Sequence, residues 1–484
     1  MKKVLAILLT SIMVCSLAAC SNHTVPAETT AAQAETAAQT TTAAPVTEAV
    51  TEAPATEAPA EKEIIEVDWY CSTGGYLSIL QEQIDQWNEG DGKEKGVRIN
   101  LISNIDHFSE DLNALMEAGT HFPLINGGDN AAWYQKGWIQ NLREVDNPEI
   151  QALLDSYKDV SVSGITHYGD AVVTVPRTVE PVKFAVNLDL FEKNNLELPK
   201  TWDDVVHCAQ VITENGGGKE FGFGWTTWGT AWRRLVFKES MSSTGKGWWD
   251  PNTATYDFSI FRPAIEAICT MYQNGWTMGA DDLAIDPIRA QFAEGNVGMF
   301  PAPSYDYSVY TAQFPAKCNW TVIEPPTFEE GEAPYKGVYV IKAGVSIDAV
   351  AYAEADEATK KAIEEAWLFL DGDELYRTLY QRGAIISPKA SVFEGAEIDP
   401  SVGPQWALFS DLSNYAPVPV YPDGVLPLEG DKFPTVFASV MHGDIALDDA
   451  FEDLNTRYNA AYQELKADDD IDMSVYEYEY KLDR

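Results

Sequence analysis

Basic residues are scarce in this chain: 33 lysines and arginines stand against 75 aspartates and glutamates, a formal net charge of −42 over 484 residues. So acidic a chain lacks the basic surface that nucleic acid or anionic lipid requires, and both are set aside as ligands. Most of this charge reads as a solubilising surface. Histidine and cysteine are equally thin, six of each. His107, His121, His167, His207 and His442 occur singly, and Cys71, Cys208, Cys269 and Cys318 are scattered without CxxC or histidine spacing. A zinc site is therefore not expected, nor any other metal or cofactor. Those four cysteines allow three disulfide connectivities, with buried free thiols an equal alternative. The phosphate-cradling pattern GxxxxGK[ST] is missing, because Gly216 to Lys219 reads GGGK and no Ser or Thr follows. Long apolar runs are missing too. The run from Val4 to Leu17, broken by Thr10, Ser11 and Ser16, is shorter than the roughly 20 residues of a spanning helix.

What the amino-terminal segment does contain is an address. Lys2 and Lys3, the apolar run and the LAAC step, Leu17 to Cys20, form a secretory signal with a lipobox. Resemblance to bacterial lipoproteins implies a signal peptide over 1–19, acylation of Cys20 and residence on the extracellular face of the cell membrane. Residues 20–62 are Thr, Ala, Pro and Glu with almost no large apolar side chain, so they cannot offset their ordering entropy and read as a disordered tether.

More than four hundred residues remain, more than one core usually supports, so two domains are expected. Ile65, Val67 and Trp69 alternate with acidic residues as in a strand; Leu77, Leu80, Ile84 and Trp87 follow on one helical face; Val97, Ile99 and Leu101 alternate again. Strand and helix in alternation predict an α/β fold with parallel pairing and a ligand at the strands' carboxyl ends, the Cys71 to Tyr76 turn and the Asn126 to Asn130 loop. From Val175 to Val206 the order is sharper. Val182 to Val186 reads as a strand entered from an extended crossover at Pro176 and Pro181, Asp189 to Asn194 as a helical turn, and Thr201 with Asp204 as a capping-box start.

VEPVKFAVNLDLF followed by LPKTWDD, GGDNAAWYQKGWIQNL at Gly127 to Leu142, and QFAEGNVGMFPAPSYDY at Gln291 to Tyr307 together resemble the extracellular solute-binding proteins of family 1, the maltose-binding kind. The resemblance extends over nearly all of the chain beyond the tether. It implies a two-lobed periplasmic-binding-protein-like fold of type II, hinged around a central ligand cleft. Lobe 1 is expected over 63–178 with about 335–386, and lobe 2 over 179–334 with about 387–484. It further implies a carbohydrate-binding component of an ABC importer, monomeric, working with permease subunits and a cytoplasmic ATPase.

The site residues follow from the same match. Tyr76 and Asp129 lie at predicted strand ends; Asp129 either accepts hydrogen bonds from sugar hydroxyls or caps the next helix. Glu180 stands before Pro181 with the spacing to Asn187 that a sugar-binding Glu has in this family; the alternative is a solvated hinge carboxylate. Trp225, Trp228 and Trp232 recur at helical intervals that suit a core, yet the glycines around them favour Trp225 and Trp228 in the cleft. Tyr305 takes the stacking position where Trp is usual in the family. Trp248 and Trp249 either reach the ligand or cover a core edge. No catalytic residue is assigned: a glycosidase needs two carboxylates about 5 to 10 Å apart, and nothing in the spacing makes Asp129 and Glu180 such a pair. A cell-surface glycoside-active enzyme and a non-transport adhesin stand as the alternatives.

Overall fold

The computed structural model describes residues 63–72, 74–103, 108–128, 130–226, 236–279, 285–331, 333–467 and 471–480. The signal, the tether, Cys20, Asp129 and Trp228 lie outside the described residues.

Fifteen strands are described, most of them in two sheets. The smaller sheet joins β1 (Ile65–Cys71), β2 (Val97–Ser103), β3 (Leu124–Ile125) and β14 (Ser346–Ile347) in the order β14-β3-β1-β2. β1 runs parallel to both its neighbours, and β14 closes the edge antiparallel to β3. The side chains of β1 divide by parity, as a pleated strand requires. Val67, Trp69 and Cys71 enter one core with the helices Leu77–Glu89 and Glu357–Leu370, while Tyr70 enters a second on the opposite face with Leu112, Met116 and Trp133.

The larger sheet has the order β10-β7-β11-β6-β13-β15, with β12 paired to β6 off that path. Its strands are β6 (Pro176–Asn187), β7 (Phe221–Gly224), β10 (Thr277–Met278), β11 (Val297–Pro303), β12 (Trp320–Ile323), β13 (Gly337–Ala343) and β15 (Tyr415–Pro417). Two short hairpins complete the set, β4 (His167–Tyr168) with β5 (Ala171–Val172) and β8 (Trp249–Asp250) with β9 (Thr255–Tyr256). The helices Trp202–Asn215, Arg262–Gln273, Phe433–His442 and Leu447–Lys466 supply the rest of this larger core. Each large apolar side chain it removes fully from water contributes roughly 1.5–3 kcal/mol.

β6 is the strand on which both halves depend. Its first half pairs with β13 and its second half with β11 on one side and β12 on the other. Two prolines are tolerated in it because each interrupts only one ladder position. Asn187 then stops the strand by capping the helix Leu188–Asn194, accepting from the Asp189 and Leu190 amides, and Asn195 ends that helix in the left-handed region at φ 52°. Thr201 and Asp204 form the expected reciprocal capping box.

Three segments pass between the cores. Val175 belongs to the smaller and Val179 to the larger; Val338 to the larger and Val345 to the smaller; Ile385 to the smaller and Ile386 to the larger. Short crossings at one end of two separate cores are the ingredients of a hinge.

Cys71, Cys208, Cys269 and Cys318 are unpaired among the described residues. Burial pushes the first three thiols up to about 12 and Cys318 to about 11. No helix among the described residues is long and apolar enough to cross a membrane.

Candidate functional site

The strand ends of the smaller sheet and the crossings face one cavity of about 380 Å³. Ser72, Gly75 and Tyr76 come from the turn after β1, and Asn126, Gly127 and Gly128 from the loop after β3. Arg177, Thr178 and Glu180 come from β6, Lys342 and Ala343 from β13, Ser304 and Tyr305 from the turn after β11, and Ala384 and Ile385 from the third crossing. A second cavity of about 840 Å³ continues outward, sharing Gly75 and Tyr305 with the first and adding Ser78, Gln81, Asp286 and Arg289.

Local sequence chemistry fixes these walls. Gly127 holds φ at +90°, where a side chain would be strained, and a Cβ on Gly128 would lie 1.9 Å from the Trp133 ring. The Asn126 amide donates to the Tyr70 carbonyl at 3.2 Å, tying that loop to the end of β1. On the opposite wall the Ser304 amide donates to the Pro181 carbonyl at 3.0 Å, so the turn bearing Tyr305 is pinned beside Glu180. Behind Tyr305, Arg289 lies 5.6 Å from its ring centroid and donates to Asp306 at 2.6 Å and Asp286 at 3.0 Å. The walls meet at Gly75, where a Cβ would fall 2.6 Å from the Ser308 Oγ.

Glu180 and Lys342 form an ion pair at 3.7 Å on neighbouring strands, their side chains 17% and 40% exposed. Both carry polar groups open to the cavity. Arg177 differs. The pairing of β6 with β13 slips between Thr178–Lys342 and Pro176–Ala343, leaving Arg177 as the extra residue of a bulge. Its guanidinium is enclosed by the rings of Trp69, Tyr76 and Tyr376 at 5.5, 5.9 and 5.8 Å. Burial works against that charge, but the Tyr76, Tyr376 and Asp371 oxygens outweigh it and hold the group protonated. Burial likewise lifts the Tyr76 hydroxyl above its ordinary range, opposed by Arg177. It brings the Asp371 carboxyl up to about 7, although Asp371 accepts hydrogen bonds from the Val345 amide and the Tyr376 hydroxyl.

Of the residues expected at the site, the fold brings Tyr76, Glu180 and Tyr305 together on this cavity. Trp225 is not among them. It is 2% exposed and packs in the larger core, its ring 6.3 Å from that of Phe223. The reason is its backbone: the Trp225 amide donates to the Met278 carbonyl at 2.9 Å, extending the β7–β10 ladder, and the ring packs in the larger core. Trp248 and Trp249 are also wholly buried, covering the core rather than reaching a ligand. Asp129 and Trp228 fall outside the described residues. Arg177, Lys342 and Ser304 escape a reading of the sequence; only the position of Arg177 and Thr178 beside Glu180 hints at the first.

Two hinged α/β cores with a polar, aromatic-walled cavity at the crossings define a binding protein of the two-lobed periplasmic type II class. Residues 73–371 match the model of the bacterial extracellular solute-binding protein family, and the chain belongs to that family. No curated sequence matches it significantly. Solved structures share the fold at low identity. The maltose/maltodextrin-binding domain MalE from Bdellovibrio bacteriovorus, bound to maltotriose, has 13% identity and a TM-score of 0.62, with 84% of this chain and 100% of that one covered. An ABC substrate-binding protein from Listeria monocytogenes in complex with cycloalternan has 14% identity and a TM-score of 0.62, covering 83% and 100%. UgpB from Mycobacterium tuberculosis, in complex with glycerophosphocholine, has 15% identity and a TM-score of 0.65, covering 83% and 99%.

Proposed function

We propose that this chain is the oligosaccharide-binding component of an ABC importer, held by an acylated Cys20 on a tether outside the cell membrane. Lobe 1 would comprise 63–178 with about 335–386, and lobe 2 the intervening and final segments. The observation that carries this reading is the convergence of Tyr76, Glu180 and Tyr305, from three separate stretches, on one cavity between two cores. A tyrosine ring offers an apolar face to the C–H side of a sugar ring, and a carboxylate accepts from adjacent hydroxyls with charge-assisted strength. Closure of the lobes would then exclude water from those bonds. The ligand leaves unchanged, as a monomer of this chain hands it to permease subunits energised by a cytoplasmic ATPase.

Titration calorimetry of the purified chain against neutral and charged oligosaccharides, with chromatography of the recovered sugar, tests the reading. Saturable binding with intact sugar recovered is the expected result. Shortened sugar would make the chain an enzyme, and binding confined to insoluble polysaccharide would make it an adhesin.

A further inference from the structure

The three crossings have a second face. Thr178 and Glu180 line the ligand cavity, as do Lys342 and Ile385, whereas Val179, Ile341 and Ser387 line another cavity of about 610 Å³. Neighbouring residues of a strand point to opposite sides, so this other cavity lies behind the crossings. Its flanking walls come from different halves. One is the loop 161–165, which follows Val160 at the edge of the smaller half's core and is held there by the Val173 amide donating to the Thr166 carbonyl at 2.9 Å. The other is the carboxyl-terminal segment 471–480, which supplies Ser474, Tyr478 and Tyr480.

That segment is fastened to the larger half. Val475 and Tyr476 are buried in its core, Trp249 Nε1 donates to the Tyr476 carbonyl at 3.2 Å, and the Asn252 side chain exchanges hydrogen bonds with the Tyr480 backbone at 2.7 and 3.0 Å. It bears on the smaller half at Gly164, which lies so close that a Cβ there would overlap the Val475 side chain. The whole segment falls beyond the residues 73–371 that match the family. A rotation about the crossings that parts Gly75 from Ser308 in front must bring the walls behind toward each other. Behind, the loop and Val475 are already in contact, and close-packed groups resist compression.

We propose that residues 471–480 are a strap acting as a stop behind the hinge: bearing on the 161–165 loop through Val475, it limits opening of the ligand cleft and holds the ligand-free chain nearer its closed form. This rests on the proposed hinge closure and not on which sugar is bound. A chain held nearer closure loses less of its binding free energy to rearrangement, so the strap raises ligand affinity.

The test is small-angle X-ray scattering of the full chain without ligand, comparing wild type with Val475→Ala, Ser163→Trp and Ser474→Trp. All other residues are shared, so differences in radius of gyration report the separation of the halves. Val475→Ala loosens the stop and is expected to enlarge the radius. Ser163→Trp and Ser474→Trp add bulk behind the hinge from opposite walls and are expected to reduce it. Val475 belongs to a core and its variant risks unfolding, so the two tryptophan variants, at positions in no core, decide. Calorimetry with maltotriose and xylotriose as probes gives the second readout: about threefold or more weaker binding in Val475→Ala and tighter binding in both tryptophan variants. An unchanged or larger radius in both tryptophan variants, or tighter binding in a folded Val475→Ala, would overturn the strap while leaving sugar binding intact. Failure of both probes to bind would count against the sugar-binding reading, and the radii would still decide on the strap.

Discussion

Gly75 marks the point at which the two halves touch, and its substitution gives the most discriminating prediction for closure. Its φ lies outside the left-handed region, so alanine there is not strained by its own backbone. The added methyl would meet Ser308 Oγ at 2.6 Å, whereas Ser308 Cβ stands at an ordinary 3.4 Å. Relief requires turning the hydroxyl away from the Tyr305 carbonyl, to which it donates at 2.8 Å. Losing one such hydrogen bond costs about 1 kcal/mol net, and in the proposed closure of the two halves that cost would fall on the closed arrangement. Gly75→Ala should therefore weaken ligand binding about fivefold, and Gly75→Val by an order of magnitude or more, since branching overfills the contact by about 1–3 kcal/mol. Ser308→Ala removes the clashing oxygen. In a double-mutant cycle read by calorimetry, Gly75→Ala with Ser308→Ala should bind no worse than Ser308→Ala alone. Wild-type affinity in Gly75→Ala, or losses that simply add, would refute the proposal that closure on ligand brings Gly75 against Ser308.

Trp225 sits in the larger core, so Trp225→Ala should cost about 3–5 kcal/mol of stability in chemical denaturation; a residue of the cleft wall would instead lose affinity at nearly constant stability. Glu239 is wholly buried, and burial raises its carboxyl well above the ordinary range. A carboxyl with a raised folded-state pKa contributes stability that is fully present below its unfolded pKa and is lost as pH rises toward the folded value. Glu239→Gln should consequently gain melting temperature over wild type with rising pH between 5 and 8, and a constant difference would contradict this. The thiols of Cys71, Cys208 and Cys269 are buried and pushed up to about 12, so a disulfide reagent should leave them unmodified at pH 8 until denaturant is added.

Local chemistry was the readable part of this sequence. The alternation of Val67, Trp69 and Cys71 and the Thr201–Asp204 box depend on neighbours within a few residues, and both appear in the structure. Motif order was readable too, and it points to Tyr76, Glu180 and Tyr305, which the fold brings to one cavity. What failed was spacing used as a proxy for direction. Trp225 belongs to an aromatic run whose glycines suggested an open loop, yet its amide extends a sheet ladder and its ring turns inward. Arg177 illustrates the converse: strand parity would put it with Val179, but the bulge against β13 re-aims it, and a register slip depends on residues far away in the chain. Lys342 was invisible for the same reason, since only the pairing of β13 with β6 brings it beside Glu180.

The central claim is that ligand is held between the two cores by Glu180 and Tyr305, and calorimetry on Glu180→Gln and Tyr305→Ala with the tightest-binding sugar tests it most directly. Each variant should lose at least tenfold in affinity while melting within a few degrees of wild type, because neither side chain belongs to a core. Unchanged affinity in both would contradict the account.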